Sequence, residues 1–440
     1  MLKTCPQLKF YRLISFNSFL VSDWYFSHQL ILAFQHLCEP FLSMEEKLHE
    51  SPGLHRGAPV RGWVRMREKE FTMRFWVYCG FICLLITGSS ALADGDWADR
   101  ISIKGDIRLR YEYIDVDDMR KDRHRGRFRA RLGLSGEITE TVSAHFRLAS
   151  GGDDPVSTNQ TFDDGFSTKD FGLDRAYVDW AIQDGLNLWG GKMKQPFYKV
   201  GQLVWDNDLN PEGGALKYET AMTDVIDFHA NGSIWVADER SADSDTTMWG
   251  IQAGADGDLS ETVSVGGGVG YYFWDNMKGF ETLFDPADGF GNTVSTSDAD
   301  GTTTYMNDYE ILDLYLKLSM VPDKIAVPVQ VYGNYIVNTA ADTSGDTAYM
   351  VGFQIGVAKG PGTWSVDYNY RDVEADATVG ILTDSDSFGA GTNGDGHRIE
   401  GRYAITENIQ SALALYLQKL DPDATNIDYT RLQADISVRF

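Results

Sequence analysis

The chain has 440 residues and is acidic, with 39 Lys and Arg against 64 Asp and Glu and a formal net charge of −25. This charge excludes nucleic-acid binding through bulk electrostatics, because the phosphates and the protein would repel each other. Aromatic residues make up 12% of the chain, which excludes a disordered acidic protein, since such chains contain few aromatic residues.

The segment at residues 73–93, "MRFWVYCGFICLLITGSSALA", predicts a secretory signal peptide. Arg74 supplies the positive end, residues 75–87 the apolar centre, and residues 91–93 the cleavage site with small side chains. The apolar centre is too short for a transmembrane helix. We therefore expect the chain to be exported and cleaved near Ala93.

Residues 1–72 show no clean periodicity and precede a segment that normally begins a chain. We interpret them as the product of a start codon placed too early, with the true start at Met73 or Met66. A genuine N-terminal extension is the alternative. Residues 94–440 then form the mature chain, which carries 29 Lys and Arg against 57 Asp and Glu, a net charge of −28. This part contains no cysteine, which excludes disulfides and cysteine chemistry.

The mature chain opens on a segment that alternates almost throughout, "ISIKGDIRLRYEYI" at 101–114. Ile107 and Leu109 fall on one face, and Arg108 and Arg110 fall on the other. The same alternation recurs in "RFRARLGL", "VSAHFRLA", "RAYVDWAI", "ILDLYLKLSM" and "WSVDYNYRDV". Side chains alternate between the faces of a β-strand, so these segments predict two-faced strands. Several reach about ten residues, the length that crosses a bilayer when tilted.

The connections alternate between short turns and long loops rich in Gly, Asp, Thr and Ser. The long loops lie at 151–169, 195–213, 275–308 and 374–396. Counting segments gives about sixteen strands, although 213–219 and 225–236 are less regular and leave the count open by two. This layout predicts an all-β fold, a transmembrane antiparallel up-and-down β-barrel with short periplasmic turns and long extracellular loops. A soluble β-sandwich is the alternative, but its strands are usually about five or six residues long.

Six segments are long enough to carry a family resemblance: "GDIRLRYE", "RLASGGDDPVSTNQTF", "LDRAYVDW", "LWGGKMKQPF", "VWDNDLNPEGGAL" and "DYNYRDVEADATVGILTDSDSFGAGTNGDGH". They resemble the putative porin family of Gram-negative bacteria over essentially the whole mature chain. The resemblance implies an outer-membrane β-barrel porin, a water-filled channel for passive diffusion of small hydrophilic solutes and ions, with no cofactor. The expected partners are outer-membrane lipid and lipopolysaccharide, the barrel assembly machinery, and, by analogy with general porins, two further copies in a homotrimer.

The end of the chain alternates once more. Leu432, Ala434, Ile436, Val438 and Phe440 share one face, and polar residues take the other. A C-terminal alternating strand that ends on an aromatic residue resembles the signal that outer-membrane barrels present to their assembly machinery. We therefore expect Phe440 to act as an assembly signal.

Charged residues of the predicted lumen form two opposing groups. Six arginines face inward from the first two strands and are here called the arginine ladder: Arg108, Arg110, Arg125, Arg127, Arg129 and Arg131. If the first strand rises from the periplasm, the third loop on the extracellular side, counted from the connection after that strand, is 195–213, which carries Asp206, Asp208 and Glu212. In general porins the third loop folds into the lumen. We therefore expect these acids to face the ladder at a constriction, where rings of charge set ion selectivity.

Arg175 and Asp179, on the polar face of a later strand, are also expected to line the pore. Two alternatives stay open: the ladder could pair with wall carboxylates such as Asp106 and Glu112 without influencing selectivity, and the third loop could be exposed outside the barrel. Arginine clusters favour anions, whereas the acidic chain draws cations to the mouth. The sign of ion selectivity therefore stays open.

The mature chain has four scattered histidines, His124, His145, His229 and His397. They form no HExxH motif, no cysteine can complete a zinc set, and there is no GxSxG motif. The acidic loops lack the spacing of an EF-hand, so no metal site is expected. We expect a protein that is not an enzyme. A structural or adhesive barrel and a barrel hydrolase are the alternatives, because a catalytic pair across the lumen would leave no sequence motif.

Overall fold

The structure is a computed structural model that describes residues 97–117, 121–322 and 327–440. The interpretations of residues 1–72 and of the signal peptide at 73–93 concern residues outside these ranges. Within the described ranges, sixteen long strands form one closed antiparallel barrel. This confirms the predicted fold class and strand number.

The barrel strands are β1 Ile101–Val116, β2 Arg123–Glu137, β3 Val142–Ser150, β5 Phe171–Gln183, β6 Leu186–Lys192, β7 Glu212–Thr223, β8 Ile226–Asp238, β9 Thr246–Ser260, β10 Val263–Asp275, β13 Glu310–Met320, β14 Val329–Asn338, β15 Thr347–Gly356, β16 Trp364–Val373, β17 Gly394–Ala404, β18 Ile409–Leu420 and β19 Ile427–Arg439. Three short strands lie in the loops. They are β4 Gln160–Thr161, which pairs with β2, and β11 Val294–Thr296 and β12 Thr303–Tyr305, which pair with each other.

The barrel closes where β1 pairs with both β2 and β19. At this seam the main chains of Gly105 and Phe440 exchange hydrogen bonds of 2.9 and 3.0 Å. The Phe440 side chain is 61% exposed, on the same face as the apolar residues that precede it by two and four positions. The C-terminal segment is therefore the last barrel strand, as its alternation predicts.

The two faces of each strand follow the alternation of the sequence. On β1 the exposed fraction is 53% for Leu109 but 6% for Arg110 and 0% for Glu112. On β13 it is 59% for Leu316 but 3% for Asp313. The apolar face therefore points out of the barrel and the charged face lines the lumen, which is the arrangement that a lipid environment requires.

Short turns and long loops lie at opposite ends of the barrel. Four of the long loops are named by their order along the chain at the loop end of the barrel: L2 at 151–170, L3 at 193–211, L5 at 276–309 and L7 at 374–393. One correction concerns Glu212, which was predicted in the third loop. It is the first residue of β7, because its backbone pairs with Lys192 of β6.

A hydrophobic core fills one side of the lumen at the loop end. Trp205 of L3 and Ile381 of L7, 2% and 3% exposed, pack in one cluster with Tyr272 and Ile336, which are 0% exposed on the inner faces of β10 and β14. Burying such side chains removes a large apolar area from water and is a main source of stability. L3 and L7 therefore lie inside the barrel.

Helical structure in the described residues is limited to three short 3₁₀ turns, Trp97–Arg100, Asp164–Phe166 and Gly380–Leu382. The third of these is buried within L7. Over the same part of the chain, no helix has the length and apolar character needed to span a membrane.

Candidate functional site

The arginine ladder is built by the pairing of β1 with β2. The register places Arg108 opposite Arg129 and Arg110 opposite Arg127. Like charges directly opposite each other on adjacent strands are destabilising. The ladder therefore needs carboxylates as counter-charges. These carboxylates belong to β1, to β19 and to the loops that lie inside the barrel.

The β1 half of the ladder is held by β19, L2 and L7. The Arg110 Nε donates to Asp435 Oδ1 at 2.8 Å, and its Nη1 lies 3.2 Å from Asp386 Oδ2 of L7. The Arg108 Nη2 donates to Asn159 Oδ1 of L2 at 2.7 Å, while its buried Nε meets no acceptor among the described residues. Both loops thus reach down to the charged wall.

Glu112 is the central carboxylate of the loop-side part of the ladder. It is 0% exposed and accepts hydrogen bonds from Arg125 Nε, from Arg431 Nε at 2.8 Å and from Gln433 Nε2 at 3.1 Å. The Arg127 Nη1 lies 3.9 Å away. At this level the guanidinium charges are balanced by Glu112 of the wall and, at Arg431, by Asp386 of L7 at 2.7 Å.

The turn-side part of the ladder is tied to L3. Arg129 Nη2 and Arg131 Nε bind the two oxygens of Asp106 at 2.8 and 2.7 Å. Arg131 Nη1 also donates to Asp208 Oδ1 of L3 at 3.0 Å, and Arg129 Nη1 lies 3.8 Å from Asp208 Oδ2. Asp208 is thus the third-loop acid that the fold brings to the ladder.

L3 reaches this position because an aromatic cluster anchors it. The Trp205 ring lies 5.0 Å from the rings of Trp235 and Tyr272 and 6.4 Å from that of Phe197, measured between centroids. Offset and edge-to-face aromatic pairs add stability beyond the buried area. The anchor fixes one side of L3 on β8–β10 and leaves Asp208 pointing toward the opposite wall.

Asp206 binds L7 instead of facing the ladder. It is 4% exposed, and its carboxylate accepts hydrogen bonds from the main-chain N–H of Asp208 at 2.6 Å and of Ser385 at 2.9 Å. Burial and the neighbouring Asp384 carboxylate raise the pKa of Asp206 to about 8. Lys199 donates to the Asp206 carbonyl at 2.9 Å, and burial lowers its pKa to about 8.

The other predicted site residues lie further from the ladder. Glu212 binds Lys192 at 2.8 Å, with a side chain that is 64% exposed. Asp179 lies on the inner face of β5 near the turn end and accepts a hydrogen bond from Asn187 Nδ2 at 2.6 Å. Neither residue contacts the arginine ladder.

A cluster of which sequence reasoning predicted only Arg175 completes the contact between the wall and L3. Arg147 Nε binds the Asp174 carboxylate, Asn210 Nδ2 of L3 donates to Asp174 Oδ1 at 2.8 Å, and Arg175 Nε donates to Asn210 Oδ1 at 2.6 Å. A β-bulge explains the cluster, since Arg175 pairs with Arg147 while Leu173 pairs with the next residue of β3. The extra residue, Asp174, turns inward beside Arg175.

Arg131, Asp208 and the four residues of this cluster are here called the polar layer. Cavities of about 750 Å³ and about 350 Å³ lie on its loop side and its turn side. Seven acids and one lysine line the loop-side cavity: Asp153, Asp154, Asp174, Asp208, Glu212, Asp238, Glu239 and Lys192. Five cationic side chains and one carboxylate side chain line the turn-side cavity, together with the C-terminal residue Phe440: Lys104, Arg131, Arg147, Arg175, Arg439 and Asp106. The charge of the lining therefore changes sign across the layer.

The histidines are spread around the barrel. His145 binds the Ser135 hydroxyl at 2.9 Å, and His229 Nε2 lies 2.7 Å from the hydroxyl of Tyr315. In the part of the chain that the structure describes, no group of three or more His, Cys, Asp or Glu side chains is arranged to hold a metal ion.

Comparisons with known proteins agree with this architecture. The family model described as "Putative porin" matches residues 113–306 and 309–440. OprB of Pseudomonas putida superposes with a TM-score of 0.51 at 11% identity, over 78% of this chain and 95% of that chain, which shows a shared fold. OmpF of Salmonella typhi gives a TM-score of 0.47 at 10% identity, over 78% and 99%. No curated protein sequence matches significantly.

The family match spans most of the chain and nearly the whole barrel. The barrel has an apolar exterior and a charged, cavity-containing interior, which is the construction of an outer-membrane channel. The chain therefore belongs to the Putative porin family, and it is an outer-membrane porin through which small hydrophilic solutes diffuse passively.

Proposed function

We propose that the polar layer is the constriction of this channel. The observation that carries the proposal is the pair of bridges from the wall to L3, Arg131 to Asp208 at 3.0 Å and Arg175 to Asn210 at 2.6 Å. These bridges lie between the two cavities, so a solute that passes from one cavity to the other must cross this layer.

The residues that were predicted to line the pore would form a charged wall beside this constriction. The arginine ladder, Arg175 and Asp179 line the lumen on β1, β2 and β5, and Asp208 faces them from L3. Because arginine stays protonated at any accessible pH, the field across the constriction persists over the working range of an outer membrane. Rings of fixed charge of this kind set ion selectivity in channels.

Single-channel recording in planar bilayers tests the constriction. We expect stepwise ohmic openings for the wild type, and a conductance lowered by about half for Asn210→Trp, because the indole would occupy the narrowest cross-section. Ser295→Trp is the matched control, since Ser295 lies exposed on the β11–β12 hairpin. Equal conductances for both variants would place the constriction elsewhere.

We also propose that the protein acts by diffusion alone, without catalysis. The alternatives are a structural or adhesive barrel and a barrel hydrolase. Stepwise channels together with a size limit for permeating solutes support the porin. A folded barrel that never conducts would favour a structural role.

Export and assembly follow the same proposal. Residues 73–93 would be removed after Ala93, Phe440 would present the assembly signal, and the barrel would form a homotrimer beside lipopolysaccharide. N-terminal sequencing of the protein from outer membranes, together with its mass in native detergent complexes, tests cleavage and oligomeric state. A first residue upstream of Asp94 or a monomeric mass would contradict the corresponding part.

A further inference from the structure

The turn-side cavity has more cationic donors than acceptors. Lys104 and Arg439, which are exposed at its open side, make no side-chain hydrogen bond or ion pair with any described residue, and Arg175 uses only its Nε, toward Asn210. The Nη2 of Arg147 is likewise without an acceptor in the described part of the chain. Guanidinium and ammonium groups in this state are ready to bind an acceptor from outside the chain.

A neutral donor adds to these cations. Tyr177 lines the cavity and is 7% exposed, with its ring stacked on His145 at 4.6 Å and tilted against Trp189 at 5.4 Å, measured between centroids. Its hydroxyl meets no acceptor within the described residues. The stacked rings hold this hydroxyl in place, so little conformational freedom is lost when a ligand binds to it.

Acceptors in the cavity are already engaged. The one carboxylate side chain of the lining, Asp106, binds both Arg129 and Arg131, and the C-terminal residue Phe440, with its terminal carboxylate, also lines the cavity. Asp174 lines the loop-side cavity, and it binds Arg147 and Asn210. The wall therefore neutralises Arg131 and Arg147, and no side-chain ion pair is formed by Lys104, Arg175 or Arg439 among the described residues.

We infer that the turn-side cavity is a binding subsite for small oxyanions, phosphate or carboxylates. The planar guanidinium fork of Arg175 matches two oxygens of such a group, and Arg147, Lys104 and Tyr177 supply donors around it. The inference rests on the proposed function, since it assigns a substrate class to the channel. The cations of this subsite would favour anions at this level of the pore, although the chain as a whole carries a net negative charge.

Calorimetric titration of the folded protein in detergent with inorganic phosphate tests the subsite. We expect saturable binding to the wild type, weakened about tenfold by Arg175→Gln and severalfold by Tyr177→Phe, which removes only the hydroxyl. Arg402→Gln is the matched control and should bind as the wild type does, because Arg402 lines a different cavity beneath L3. Heat-modifiable migration on gels establishes that each variant is folded.

Two outcomes overturn the inference: no saturable phosphate binding by the folded wild type, or equal binding by the wild type and both cavity variants. A succinate titration distinguishes phosphate from carboxylate as the preferred oxyanion. Because the titration needs no conduction, its result is independent of the bilayer recordings. A channel that conducts but binds neither anion keeps the proposed function and loses this subsite.

Discussion

Glu112 illustrates how single residues hold the charged wall together. Its carboxylate is fully buried between Arg125 and Arg431, and Gln433 donates to the same oxygen that binds Arg431. Removal of one partner from a buried ion pair leaves an uncompensated charge, and that loss usually exceeds the net stability of the intact pair. The wall therefore depends on this carboxylate more than on any exposed pair.

We expect Glu112→Gln to lower the free energy of unfolding by about 3–5 kcal/mol, because Arg125 would lose the carboxylate that it binds and Arg431 would keep only Asp386 as its counter-charge. Unfolding by guanidinium in detergent, followed by tryptophan fluorescence, measures this change. Glu212→Gln is the control: its pair with Lys192 is exposed, and we expect a loss of at most about 1 kcal/mol. Equal losses for the two variants would refute the central role of Glu112.

At the scale of elements, the contact between L3 and L7 contains a carboxylate with a raised pKa, Asp206. Besides the carboxylate bond from Ser385, the Asp206 main-chain N–H donates to the Leu382 carbonyl at 2.8 Å. Asp208, Asp384 and Lys199 are the charged groups around Asp206. Since the pKa of Asp206 is raised to about 8, the folded state holds this proton more tightly than the unfolded chain does.

The stability contributed by that proton is therefore complete at low pH and is lost as the pH rises from about 4 to about 8. Lys199 acts in the opposite direction above pH 8, because its pKa is lowered to about 8. We expect the melting temperature of the wild type to fall over the lower window, and Asp206→Asn to flatten that fall. Asp300→Asn, in an exposed part of L5, should leave the slope over this window unchanged, because the pKa of Asp300 is lowered by hydrogen bonds and its contribution changes only at more acidic pH. An unaltered slope in Asp206→Asn would show that another group titrates.

Strands and loops differ in how far the sequence determines them. The alternation at 101–114 predicts β1 and its faces, because a residue's position along a strand decides which side meets lipid. The bulge at Asp174 breaks that rule by one residue, so period-two reasoning missed its inward side chain. The positions of Asp206 and Asn210 depend on how L3 packs against β8–β10 and L7, and such long-range contacts leave no local pattern. The tryptophan of "VWDNDLNP" was the available signal that this loop is buried, because a large apolar side chain is not expected in a solvent-exposed loop.

At the scale of the whole molecule, the two cavities that flank the polar layer have linings of opposite charge. Acidic side chains line the loop-side cavity and cations the turn-side cavity, whereas a third cavity, at the turn end near β7–β13, is lined by four aspartates and Lys317. The change of sign therefore belongs to the path that crosses the polar layer. Each cavity enriches the counter-ion of its lining, because fixed charges in a low-dielectric channel focus the potential. Two segments of opposite selectivity in series do not conduct equally in both directions.

We therefore expect the channel to rectify in dilute salt. A positive voltage on the loop side drives cations from the acidic cavity and anions from the basic cavity toward the polar layer. There both accumulate, and the current should exceed the reverse current by about twofold. In about 1 M salt the Debye length falls to about 3 Å, and the asymmetry should disappear. The double variant Asp153→Asn, Glu239→Gln should weaken the rectification, because neither side chain forms an ion pair in the described residues and each acts through its charge alone. Symmetric currents in dilute salt from uniformly oriented channels would mean that the two linings do not control ion flow.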